Sequence, residues 1–117
     1  MSKDCELTRH PFRLVVCDLS NDLTGLCCPI CGNTFVHPAK VVVEQGSTKT
    51  VVVHEATSVQ PTDRGKHHRG SEITLAFWCE GGHRFEYRMA FHKGQLFCEL
   101  LACYSGPCLT DAELWRN

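Results

Sequence analysis

The 117 residues predict a mainly β chain of antiparallel hairpins, closed by a short C-terminal helix. Three observations carry that expectation. Two valine-rich, β-branched runs, residues 40–44 and 49–54, flank Gln45-Gly46-Ser47-Thr48, where Gly46 can supply the positive φ of a hairpin turn. Residues 73–79 and 85–91 alternate side-chain character with a period of two, as strands do. Between those two runs, Glu80-Gly81-Gly82-His83 reads as a second turn.

The remaining elements follow in chain order. Residues 1–12 are polar and unpatterned and read as an N-terminal tail, leaving 13–117 as a single domain, which suits a chain of this length. Leu14-Val15-Val16-Cys17 is a short strand that meets a turn-forming cluster at Asp18, Ser20, Asn21 and Asp22. Residues 55–72, rich in Pro, Gly, Ser, Thr and basic side chains, show no apolar period and are expected to form a long mobile loop. Residues 95–103 suit a strand or a short helix; Lys93-Gly94 ahead of them favours a hairpin and hence a strand. Thr110-Asp111-Ala112-Glu113 has the form of a capping box and predicts a helical turn through Trp115.

Composition narrows the function classes. An apolar fraction of 43% and a charged fraction of 21% are those of a folded globular chain. A net charge of −1 gives no global electrostatic drive toward nucleic acid or an anionic membrane. No apolar run approaches the length of a membrane span, and the first residues lack a signal-peptide core, so a cytoplasmic protein with no membrane partner is expected. Nine cysteines, an odd number that includes adjacent Cys27 and Cys28, fit a reducing compartment and suggest metal before disulfide.

The strongest motif is Cys28-Pro29-Ile30-Cys31-Gly32. Two thiolates with two residues between them can reach one tetrahedral ion, and Gly32 permits the tight backbone that follows. Cys79-Glu80-Gly81-Gly82-His83 supplies a third thiolate and an imidazole on the turn between two strands. Cys28, Cys31, Cys79 and His83 therefore form the expected ligand set for one structural Zn2+, in a zinc-ribbon-like arrangement where ligands on separate turns become neighbours once strands pair. Cys27 and His37 compete for ligand positions, with packing or a supporting role as the alternative for each. Four protein ligands leave no position for an activated water, which argues against metal catalysis.

These residues, together with Val36-His37-Pro38, Arg69-Gly70-Ser71 and Phe91-His92-Lys93-Gly94-Gln95, resemble a group of small uncharacterised zinc-ribbon proteins from bacteria and phages. The likeness spans residues 28–95. It implies a β-rich ribbon fold and supports the same four ligands, with His83 as a departure from the commoner pattern of two Cys-x-x-Cys pairs. It implies no activity.

Cys5, Cys17, Cys98, Cys103 and Cys108 show no ligand spacing and read as packing residues rather than a second metal site or disulfides. Arg64, Lys66, His67, His68 and Arg69 concentrate positive charge in the 55–72 stretch, and His92 with Lys93 places polar groups at a turn. These are the candidate partner-binding residues. The reading that follows is a non-enzymatic, zinc-stabilised β module that binds a macromolecular partner, with near-neutral charge favouring a protein, and with a phage or mobile-element inhibitor or adaptor as one form of it. A nucleic-acid-binding ribbon using the 64–69 basic loop is the alternative. A metal- or cysteine-dependent enzyme is the second alternative.

Overall fold

In the computed structural model, which describes residues 6–53, 56–62 and 70–103, nine strands account for the regular structure and no helix occurs among the described residues. The strands are β1 (Thr8–His10), β2 (Val15–Ser20), β3 (Leu23–Cys27), β4 (Val36–Gln45), β5 (Thr48–Val53), β6 (Ala56–Pro61), β7 (Ser71–Cys79), β8 (Arg84–His92) and β9 (Gln95–Cys103). Seven of them form one antiparallel sheet in the order β1-β9-β8-β7-β4-β5-β6, and β2 and β3 pair separately as a hairpin.

The sheet is two three-stranded meanders joined side by side. In β4-β5-β6 the valine runs pair directly, with Val41 opposite Val52 and Val42 opposite Val51, across the two-residue turn holding Gly46 at φ 55°. In β7-β8-β9 the alternating runs pair as their period requires, and Lys93 (φ 51°) with Gly94 (φ 80°) makes the tight turn between β8 and β9. The meanders meet where β4 pairs antiparallel with β7, so that Val36, at the start of β4, lies opposite Cys79, at the end of β7. That register brings the chain just after the Cys28 motif beside the second ligand-bearing turn.

One face of the sheet carries the largest buried cluster. Cys28, Cys79, Phe85, Tyr87, Leu100 and Ala102 are buried together, with Leu26, Ile30, Val36 and Phe77 packed against them. Phe85 stacks on Phe77 at 5.3 Å, and Tyr87 meets Phe85 edge-on at 5.8 Å.

Several expectations change here. Residues 95–103 are a strand, as the turn before them indicated. Thr8–His10, within the stretch read as a tail, pairs with β9, and Ala56–Pro61, within the stretch read as a long mobile loop, is the edge strand β6. Both are held by backbone pairing and carry no apolar period for a sequence reading to detect. The C-terminal helix expected around residues 110–115 lies outside the described residues, as do Arg64, Lys66, His67, His68 and Arg69.

Candidate metal centre

The Cys28 motif follows directly on β3. The Cys28 amide donates to the Asn33 carbonyl at 2.9 Å and the Gly32 amide donates to the Cys28 carbonyl at 2.8 Å, curling the segment into a knuckle. Gly32 sits at φ 78°, a left-handed conformation that costs a residue with a Cβ about 1 kcal/mol. The Ile30 amide lies 3.4 Å from the Cys28 sulfur, a donor placed to stabilise a thiolate.

The second turn is built the same way. The Cys79 amide donates to the His83 carbonyl and the Gly82 amide to the Cys79 carbonyl, each at 2.9 Å, which folds Glu80-Gly81-Gly82 into a loop with both ligand residues at its base. The Glu80 amide donates to the Phe35 carbonyl at 3.1 Å and so ties this loop to the segment that follows the knuckle. Gly81 lies directly over the thiols: a Cβ there would be in van der Waals contact, 3.5 Å, with both the Cys31 and Cys79 sulfurs.

The ligand atoms of Cys28, Cys31, Cys79 and His83 all lie within 4.8 Å of one another, a group that could hold a metal ion. The Cys31 and Cys79 sulfurs are 3.8 Å apart, and the Cys79 sulfur is 3.6 Å from His83 Nδ1. A tetrahedral centre with bonds of about 2.3 Å to sulfur and about 2.0 Å to nitrogen spaces two sulfurs about 3.8 Å apart and a sulfur and nitrogen about 3.5 Å apart. The separations therefore match the edges of such a tetrahedron. They are far longer than the S–S bond of about 2.05 Å, and all three cysteines are free thiols.

The donor chemistry also fits a cation. Cys28 and Cys79 are buried whereas Cys31 is exposed and His83 half-buried, so the group faces solvent along one side. Burial, reinforced by the neighbouring Cys79 thiol and opposed by the backbone amides of Cys31 and Ile30, pushes the Cys28 thiol up to about 12. For Cys31, burial acts upward, but the Asn33 amide and the Cys79 and Cys28 thiols outweigh it and hold the group below its ordinary value. A buried thiol of that kind ionises near neutral pH only when a cation replaces the lost hydration.

Of the two competitors, neither joins the group. Cys27 stands opposite Val15 in the β2–β3 hairpin with Cys17 as its diagonal neighbour, and burial together with that thiol raises its own. His37 stacks on Trp78, its cross-strand neighbour, at 4.1 Å and 7°, and its Nε2 lies 2.8 Å from a Glu80 carboxylate oxygen. A supporting role remains to His37, since Glu80 belongs to the ligand-bearing loop.

Arg13 is a residue that sequence reasoning missed. Its guanidinium donates to the Pro29 carbonyl of the knuckle at 2.6 Å, while its own carbonyl accepts from the Tyr87 hydroxyl at 3.0 Å. The segment before β2 is thereby pinned between the knuckle and the sheet. Nothing local in the sequence marks Arg13, because both partners are distant along the chain.

Elsewhere, Cys17 is free and half-buried, Cys98 is free but exposed, against the packing reading, and Cys103 is disulfide-bonded, which corrects that reading for it as well. Cys5 and Cys108 lie outside the described residues. His92 and Lys93 sit exposed at the β8–β9 turn, on the opposite end of β8 from His83. No helix among the described residues is long and apolar enough to cross a membrane. No known family, curated protein or solved structure matches the chain.

Proposed function

We propose that this chain is a non-enzymatic β module of zinc-ribbon type, stabilised by one Zn2+ on Cys28, Cys31, Cys79 and His83, that presents a surface to a protein partner. Three sulfurs and one imidazole nitrogen within 4.8 Å of one another, with the Cys31–Cys79 and Cys79–His83 separations at tetrahedral-edge length, carry the metal part of this reading. That donor set suits structural zinc, and with four protein ligands no coordination position is left for a reacting water. An inhibitor or adaptor carried by a mobile element is one form of this reading.

Electrostatics supports a protein partner over nucleic acid. The net charge is −1, and on β8 the Arg88 guanidinium is already engaged by Glu86 at 3.1 Å, which removes it from a basic stripe. The exposed His92-Lys93 turn and the 64–69 residues remain the partner-facing candidates.

Metal analysis of protein purified without added zinc tests the first part. One zinc per chain is expected, with loss of metal and of cooperative folding in Cys28→Ser and Cys79→Ser, and retention of both in His83→Cys, which keeps four zinc-compatible ligands. A chain that folds equally well after chelation would sink the structural role. Oligonucleotide binding that weakens steeply with salt would replace the protein-partner reading with the nucleic-acid one.

A further inference from the structure

Among the described residues, the outer side of β6 is an unpaired strand edge whose hydrogen-bonding groups complement a second copy of themselves. The Thr62 amide donates to the Ser47 carbonyl at 3.0 Å, and the same register continues through Thr48↔Pro61, Lys49↔Gln60, Thr50↔Val59, Val51↔Ser58, Val52↔Thr57 and Val53↔Ala56. Bonded and non-bonded pairs alternate along an antiparallel ladder. Gln60, Ser58 and Ala56 therefore bond to β5, and Thr57, Val59 and Pro61 turn their main-chain groups outward. Pro61, which has no N–H, falls on an outward position where β5 does not need one.

Among the described residues no strand pairs with that outer side, and all six residues of β6 are exposed. Natural sheets protect such edges with charge, short length or covering segments. The opposite edge is protected in this way: β1 is only three residues long, is followed by Pro11, and carries Arg9, which is ion-paired with Glu99 at 2.8 Å. The sequence Ala56-Thr57-Ser58-Val59-Gln60-Pro61 contains no charged side chain at all.

We infer that two copies of this chain associate edge to edge through β6, in antiparallel register about a two-fold axis at Ser58. In that register Thr57 of each copy stands opposite Val59 of the other, and each pair exchanges both N–H···O=C bonds. Antiparallel partners place their side chains on the same side of the sheet. The sheets therefore continue into one another without a flip, and Val59, now 68% exposed, packs beside Thr57 of the second copy. The inference is independent of the metal centre and of any other partner.

Sedimentation of the zinc-loaded full chain, combined with amide hydrogen exchange across a concentration series, tests it. A dimer is expected that dissociates on dilution. The Thr57 and Val59 amides should become protected as it forms, whereas Ser58 and Gln60, bonded to β5, are protected at every concentration. Val59→Pro removes the outward donor from both copies and should weaken association about tenfold or more. Thr57→Lys, which keeps every backbone donor, should weaken it by charge and guards against a folding defect in the proline variant. A monomer at all concentrations would overturn the inference. So would a dimer that both folded variants retain, or one in which Thr57 and Val59 exchange as fast as in the monomer.

Discussion

At the scale of single residues, the centre depends on contacts that relieve buried polar groups. Tyr87 shows this. Its hydroxyl is raised above its ordinary value by burial, with the Cys28 thiol adding to the effect and Arg13 opposing it, so at neutral pH it stays protonated and donates to the Arg13 carbonyl. The sign of its linkage follows: the folded state disfavours the phenolate, so this contribution to stability is intact below the free-tyrosine value of about 10 and is lost as pH rises beyond it. Tyr87→Phe is expected to cost about 1 kcal/mol at neutral pH through the lost hydrogen bond and to flatten the alkaline decline, as read by urea unfolding across pH. The Cys28-x-x-Cys31 and Cys79-x-x-x-His83 spacings were legible because each is local, and a ligand pair on a tight turn needs only its own few residues. Arg13 and the pairing of His37 with Glu80 were not legible, because each depends on residues far away in the chain.

At the scale of elements, strands with a side-chain period were readable and strands without one were not. β8 alternates because Phe85 and Tyr87 pack into the core cluster; on β7, Phe77 and Cys79 face that cluster while Thr74, Ala76 and Trp78 are buried on the opposite side; and β4 and β5 carry consecutive valines because they pair within the sheet. β6 and β1 present mostly exposed side chains, so only their backbone bonds define them. β3, Leu23-Thr24-Gly25-Leu26-Cys27, is disguised by Gly25, where a Cβ would come within 3.1 Å of the Cys17 sulfur. The knuckle shows how an element end carries a site: Gly32 has open space around it, so its only constraint is φ. Gly32→Ala should therefore destabilise the loaded protein by about 1 kcal/mol and Gly32→Asn by less, since Asn tolerates this region. Thermal unfolding of the two variants with metal bound makes that comparison.

At the scale of the whole molecule, the largest buried cluster packs on one face of the sheet beside the candidate metal centre, while Val42, Ala76 and Trp78 are buried on the other face. Leu100 is fully buried in that cluster, whereas Leu96, four residues earlier on the same strand, is 57% exposed. Leu100→Ala is expected to cost about 2–5 kcal/mol. Leu96→Ala should stay within about 0.5 kcal/mol. Urea unfolding of the metal-loaded variants separates the two, and near-equal losses would contradict the packing described. By itself the sequence determined the four candidate ligand residues and the two main hairpins, because Cys and His spacing, turn glycines and side-chain alternation are written over a few consecutive residues. Only the tertiary structure decided that β4 lies against β7 and so brings the two half-sites together, that Cys27 and His37 fall outside the candidate ligand group, and that β6 ends the sheet among the described residues. Those outcomes depend on pairing between strands far apart in the chain, where backbone hydrogen bonds are the same for any sequence and the choice of neighbour is made by how the core as a whole is filled.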